Sequence, residues 1–145
     1  MNLLDVNVLL AVLWPTHLDF EVADAWFRAN SQSGWATCAI TQSGFIRISA
    51  QKSFQHSDRT IEAIAQGLEK ATTSSTHRFL NIDFPFLMVR KICTGGVVGH
   101  RQITDAYLLT LAIKNKAKFI SFDAGVRQLL ATEPERIKHL VILET

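Results

Sequence analysis

Cysteine is nearly absent from this 145-residue chain. The two present, Cys38 and Cys93, lie in apolar surroundings without the paired spacing of a zinc site or a disulfide framework, so both are expected to be reduced and buried. Proline is scarce, and neither low-complexity tracts nor a repeat period occurs, which argues against disordered and solenoid classes. No apolar run is long enough to span a bilayer, and the N-terminal one carries an acid and lacks a positive flank. A cytoplasmic protein with no membrane partner is therefore expected. A large excess of either charge is also missing: the net charge of +2 and pI near 8.7 permit a nucleic-acid partner without requiring one. The glycine-rich TGGVVGHRQ at 94–102 has neither a preceding strand nor a Gly-Lys-Ser/Thr ending, which excludes a nucleoside-triphosphate loop. What remains, 48% hydrophobic and 19% charged, is an ordinary globular composition, read as a single domain over residues 1–145.

The most informative stretch is MNLLDVNVLLAVL at residues 1–13, an apolar run interrupted by one carboxylate, Asp5. Residues 2–5 read as a strand without a polar face, the kind buried inside a parallel sheet. Residues 6–14 read as a helix ended by Pro15. Asp5 thus belongs at the carboxyl edge of a sheet, where open α/β folds place their ligands.

Strand and helix signals alternate from there. Val22, Ala23, Trp26 and Phe27 share one face of a helix over 19–30, residues 35–40 read as a second buried strand, and Thr41 is placed to cap a helix over 42–51. A polar connection at 53–57 precedes an amphipathic helix over 58–72, with Ile61, Ile64, Ala65 and Leu68 at helical spacing. A polar loop over 72–77, a strand over 79–82 and a helix over 84–93 follow. Residues 94–102 are expected to form a flexible loop, and Thr104 to cap a helix that ends at 116. A strand over 118–121, a short helix over 124–131 and a strand over 138–143 complete a pattern that predicts a three-layer α/β/α sandwich with a short, mainly parallel central sheet.

Element lengths bring the acids together. A helix over 105–116 runs about 18 Å away from the carboxyl edge, and an extended segment over 118–122 returns roughly 17 Å, so Asp105 and Asp123 come level. Asp5, Gln42, Asp105 and Asp123 then share one edge. Two carboxylates about 4 Å apart repel by about 4 kcal/mol at an effective dielectric near 20, so a cluster of three calls for a cation or for protonation. Oxygen ligands alone favour Mg²⁺ or Mn²⁺, and such sites activate water for phosphodiester cleavage.

The motifs LLDVN at 3–7, TQSGFIRI at 41–48, ITDAYLLTLA at 103–112 and FISFD at 119–123 resemble the PIN domain, and more narrowly the VapC toxins, over essentially the whole chain. The resemblance implies a metal-dependent endoribonuclease, the toxin of a toxin–antitoxin pair, with Asp5, Asp105 and Asp123 as catalytic metal ligands and Mg²⁺ (or Mn²⁺) as cofactor. Asn7 and Thr104 carry over as neighbouring polar positions. An RNA substrate cut to leave a 5′-phosphate, a cognate antitoxin that lays an apolar segment in a helical groove, and a homodimer are implied as well. Many PIN domains have Glu where this chain has Gln42. An amide supplies no charge, so the expectation is a competent site with modest metal affinity, Gln42 assisting through its carbonyl oxygen.

Asn7, Arg47, His100, Arg101 and Thr104 are the candidate substrate contacts. Arg47 is equally placed to reach the edge or to pair with an acid, and His100 and Arg101 lie in the loop before Asp105. Arg90, Lys91 and Arg101 are candidates for docking a nucleic-acid backbone. His17, His56, His77 and His139 are scattered without ligand spacing, and Trp14, Trp26 and Trp35 are expected in the core. Two rivals stand beside the nuclease. One is a PIN-like RNA-binding or regulatory module without turnover, which Gln42 keeps open. The other is a receiver-like domain, which fits poorly because only Asp5 follows the first strand.

Overall fold

A computed structural model describes residues 1–55 and 58–145, with Gln55 in its backbone alone. His56 and the end of the 53–57 connection lie outside the described residues. The strands are β1 (Asn2–Leu4), β2 (Trp35–Cys38), β3 (His77–Leu80), β4 (Lys118–Ser121) and β5 (Leu140–Ile142), all parallel in the order β3-β2-β1-β4-β5. The helices are α1 (Val6–Leu13), α2 (Phe20–Asn30), α3 (Ala39–Ser49), α4 (Lys52–Gln55), α5 (Ile61–Thr72), α6 (Phe86–Ile92), α7 (Ile103–Lys114) and α8 (Glu133–His139).

Helices cover both faces of the sheet, which is why β1 and β4 are buried throughout except at Lys118. Alternate side chains go to opposite cores: Leu3 and Phe119 pack with Val89 and the α7 leucines, while Leu4 and Ile120 pack with Val8, Leu9, Phe45 and Ile64. The handedness rule for crossovers accounts for this layering. From β1 through β2 to β3 the chain steps one way across the sheet, and from β3 to β4 and β5 it steps back, so connections of one hand fall on opposite faces. Gly44 lets α3 approach α1 closely, since a Cβ there would lie 2.8 Å from a Val6 methyl. Among the described residues no helix is long and apolar enough to cross a membrane.

Several element boundaries differ from expectation for local reasons. Strand β2 stops at Cys38, and Thr41 is not the cap of α3: its hydroxyl accepts from the Cys38 amide at 2.9 Å from inside the first turn. Thr104 likewise lies inside α7, with Gln102 at the cap position. Strand β3 begins at His77, because edge pairing with β2 needs only backbone groups and leaves Arg78 and Phe79 exposed. Lys52–Gln55 forms a helical turn within the supposed polar connection, residues Ala124–Leu129 form a 3₁₀ turn instead of an α-helix, and α8 displaces the start of the last strand to Leu140. Glycine loop 94–102 is anchored: Gly95 donates to Leu129 O at 2.9 Å, and Gln102 Oε1 accepts from the Val98 and Gly99 amides. A Cβ on Gly95 would sit 2.2 Å from the Gln128 carbonyl, so close packing selects glycine there.

Candidate active site

Strands β1 and β4 are neighbours, yet the chain leaves them toward opposite edges of the sheet. The resulting crevice at their carboxyl ends is where α/β sheets place ligands. Asp5 directly follows β1 there, as the cap of α1, and is 7% exposed. Its Oδ1 accepts from the Val6 amide at 2.7 Å and its Oδ2 from the Ser121 hydroxyl at 2.6 Å. Burial pushes the Asp5 carboxyl above its ordinary range; the Ser121 and Val6 hydrogen bonds pull it down, and the Asp123 charge pushes it up again.

Ser121, fully buried, is a site residue that sequence reasoning missed. Besides donating to Asp5, its Oγ accepts from the Asp123 amide at 3.0 Å and from Asn7 Nδ2 at 3.4 Å. One donor and two acceptor lone pairs are thereby all used, which ties the ends of β1 and β4 together. A serine two positions before Asp123, in a strand otherwise apolar at its end, was the available signal. Asn7 has both amide atoms engaged, since Oδ1 also accepts from the Phe122 amide at 3.3 Å. In this structure it clamps α1 to the end of β4.

Asp123 is exposed and accepts from the Gly125 amide at 2.8 Å. Asp105 lies half-buried in the first turn of α7. Burial first, then the charges of Asp5 and Asp123, push its carboxyl from 3.8 up to about 7. The three acids are thus close enough to sense one another. Their all-oxygen, mutually repelling chemistry suits a hard divalent cation. They are not preassembled: among the described residues no three His, Cys, Asp or Glu side chains are grouped to hold an ion as they stand. Asp5 and Asp123 instead accept from amide and hydroxyl donors at the strand ends.

Gln42, near the start of α3 at the same edge, is not hydrogen-bonded to these acids among the described residues. Its amide donates to Thr37 Oγ1 at 3.0 Å, and that hydroxyl also bonds His77 Nε2 at 2.8 Å across to β3. Gln42 borders a cleft with Ile46, Leu68, Glu69 and Phe79. Arg47, His100, Arg101 and Thr104 are all exposed, as are Arg90 and Lys91. His100 and Arg101 occupy a short 3₁₀ turn directly before α7. Trp14 and Trp35 are buried as expected, whereas Trp26 is only half-buried and borders a surface pocket.

Comparison with known proteins matches the PIN domain family over residues 3–129. The chain is 38% identical over 135 residues to ribonuclease VapC38 of Mycobacterium tuberculosis, covering 93% of this chain and 94% of the relative. It is also 38% identical over 141 residues to ribonuclease VapC44 of the same species, covering 97% and 98%. Ribonuclease VapC39 matches at 39% over 125 residues, covering 86% and 89%. In fold the chain resembles, with a TM-score of 0.63 and 12% identity over 99% and 98% of the two chains, one chain of the crystal structure of VapBC2 from Rickettsia felis bound to a DNA fragment from their promoter.

Proposed function

The chain belongs to the PIN domain family, and from that premise we propose that it is an endoribonuclease, the toxin of a toxin–antitoxin pair, hydrolysing RNA at the β1/β4 edge. The observation that carries this reading is that Asp5, Asp105 and Asp123 all stand at the carboxyl end of the β1/β4 pair, directly after β1, in the first turn of α7 and just after β4. Asp5, Asp105 and Asp123 would hold a divalent cation, Mg²⁺ or Mn²⁺ by donor type, which when bound supplies the Lewis acidity for attack of water on phosphorus.

The protein's own part is positioning and charge. Ser121 and Val6 fix both oxygens of Asp5, and Ser121 also fixes the amide of Asp123, so the two strand ends present their acids from a rigid base. Asp105 comes from the first turn of α7. His100 and Arg101, exposed on the turn before α7, would meet the scissile strand's phosphates. Single-stranded or looped RNA fits such an open edge. A cognate antitoxin as partner, a homodimer, and a cytoplasmic setting follow from the family reading.

A second reading is favoured by one observation: Gln42, where many PIN domains carry Glu, is tied to Thr37. On that reading the chain is a weakened RNA-binding module. Incubation of purified protein with a mixed RNA pool, with Mg²⁺, Mn²⁺ or chelator, separates the two. Cleavage that needs metal and is lost in Asp5→Asn and Asp105→Asn supports the nuclease. RNA binding without cleavage at any metal concentration supports the module.

A further inference from the structure

The opposite rim of the sheet holds a pocket that the acids do not use. It has a volume of about 870 Å³ and is bordered by Asn2, Trp26, Asn30, Lys116, Lys118, Lys138 and His139, with Ser33 and apolar neighbours completing the wall. No carboxylate among the described residues lines it. The sequence scatters its three lysines over the α7–β4 turn, the first residue of β4 and the end of α8, and the parallel sheet collects them because all those segments meet at the amino ends of the strands. All three lysines are exposed. The acid whose charge reaches His139 is Glu135, and it is already engaged by Thr94 and Thr132. A concave surface with three ammonium groups and no counter-charge of its own attracts an anion.

Four further features bear on the ligand. Trp26 offers half-buried aromatic surface within the same pocket, which a carboxylate-bearing peptide does not require but a nucleobase uses for stacking. The rim is preset: Asn30 Nδ2 donates to Trp26 O at 2.8 Å, and Asn2 Nδ2 donates to Gly34 O at 3.3 Å. Lys116 is held at φ 56°, the sole non-glycine positive φ among the described residues, at a turn where Asn or Gly would be less strained. The volume lies within the roughly 300–1,000 Å³ typical of small-molecule sites.

We propose that this pocket binds a nucleoside phosphate, with Lys116, Lys118 and Lys138 holding the phosphate and Trp26 carrying the base. The ligand is either a free nucleotide or one nucleotide of a single-stranded RNA. The site is separated from Asp5 by the length of β1 and does not depend on the cleavage reading.

The test is tryptophan fluorescence titration of the whole protein in chelator, where no metal-dependent cleavage can intervene. Trp14 and Trp35 are buried, so quenching reports on Trp26. The probes are AMP, a short oligoadenylate, ribose 5-phosphate, inorganic phosphate and a glutamate-rich peptide. AMP or the oligonucleotide should bind at least about tenfold more tightly than ribose 5-phosphate or inorganic phosphate, reflecting one stacked base. In a variant carrying Lys116→Asn, Lys118→Gln and Lys138→Gln, affinity should fall at least about tenfold and the salt slope for the oligonucleotide should drop by about 2, from three charges at ~0.7 each. Asn at 116 suits the left-handed backbone, and the single change Lys138→Glu, on an exposed side chain, repeats the test with less perturbation. Binding of AMP assigns a free-nucleotide site; binding of the oligonucleotide alone assigns an RNA contact. The proposal is overturned if neither probe binds, if the lysine variants bind like the wild type, if inorganic phosphate or the acidic peptide binds as tightly as AMP, or if Asp105→Asn abolishes the signal.

Discussion

Replacing Asp105 by Asn should stabilise the metal-free protein at alkaline pH. Asp105 sits half-buried beside two other acids, and its carboxyl is displaced from 3.8 to about 7. Between those values the folded protein holds a proton that the unfolded chain has released. Stability therefore falls as pH rises through that window, and the full cost is present above pH 7. At about 1.4 kcal/mol per unit the displacement corresponds to about 4 kcal/mol, but solvent screening of a half-exposed group reduces this to about 1–2 kcal/mol. For a chain of this length that is about 3–6 °C in Tm. The assay is thermal unfolding in chelator at pH 5 and pH 8. Wild type should lose stability relative to Asp105→Asn between the two, with the variant more stable at pH 8 by the stated margin. Adding Mn²⁺ at pH 8 should then raise the Tm of wild type and leave the variant nearly unchanged. An equal or lower Tm for the variant at pH 8 in chelator refutes the electrostatic argument.

Other perturbations have equally definite outcomes. Ser121→Ala removes the 2.6 Å bond to buried Asp5 and should destabilise the fold by about 1.5–3 kcal/mol in urea unfolding, while moving the acid limb of the cleavage pH profile upward. Gly44→Ala places a methyl group 2.8 Å from a Val6 methyl and should cost about 1–3 kcal/mol by the same measurement. Gln42→Glu adds a fourth charge near the edge, so the metal concentration for half-maximal cleavage should fall; an unchanged value means that position 42 does not sense the ion.

Much of the candidate site's placement was legible because the sheet is parallel and its helix and strand lengths match. Asp5 announced itself as the one acid in an apolar strand, and the lengths of α7 and β4 returned Asp105 and Asp123 to the same end. Ser121 was not legible, because a serine closing a strand looks like any other until the partner strand is known; only β1/β4 pairing brings it to Asp5. Gln42 was placed on the right edge, but Thr37 and His77 capture its amide, a contact that depends on the pairing of β2 with β3. Helix α8 escaped because it buries no residue of its own, so no apolar period marks it. Its capping box, Thr132 reaching the Glu135 amide and Glu135 reaching back to Thr132, was the signal to read. The lysine pocket was invisible for a related reason: its residues are brought together only by the order of strands.

The most direct test of the central claim is Mn²⁺ binding followed by electron paramagnetic resonance, comparing wild type with Asp5→Asn, Asp105→Asn and Asp123→Asn. Bound Mn²⁺ in the wild type and at least about tenfold weaker binding in each variant are predicted, each variant losing one carboxylate ligand. Equal binding by all four proteins, or none by the wild type at millimolar metal, would contradict a metal site built from these acids.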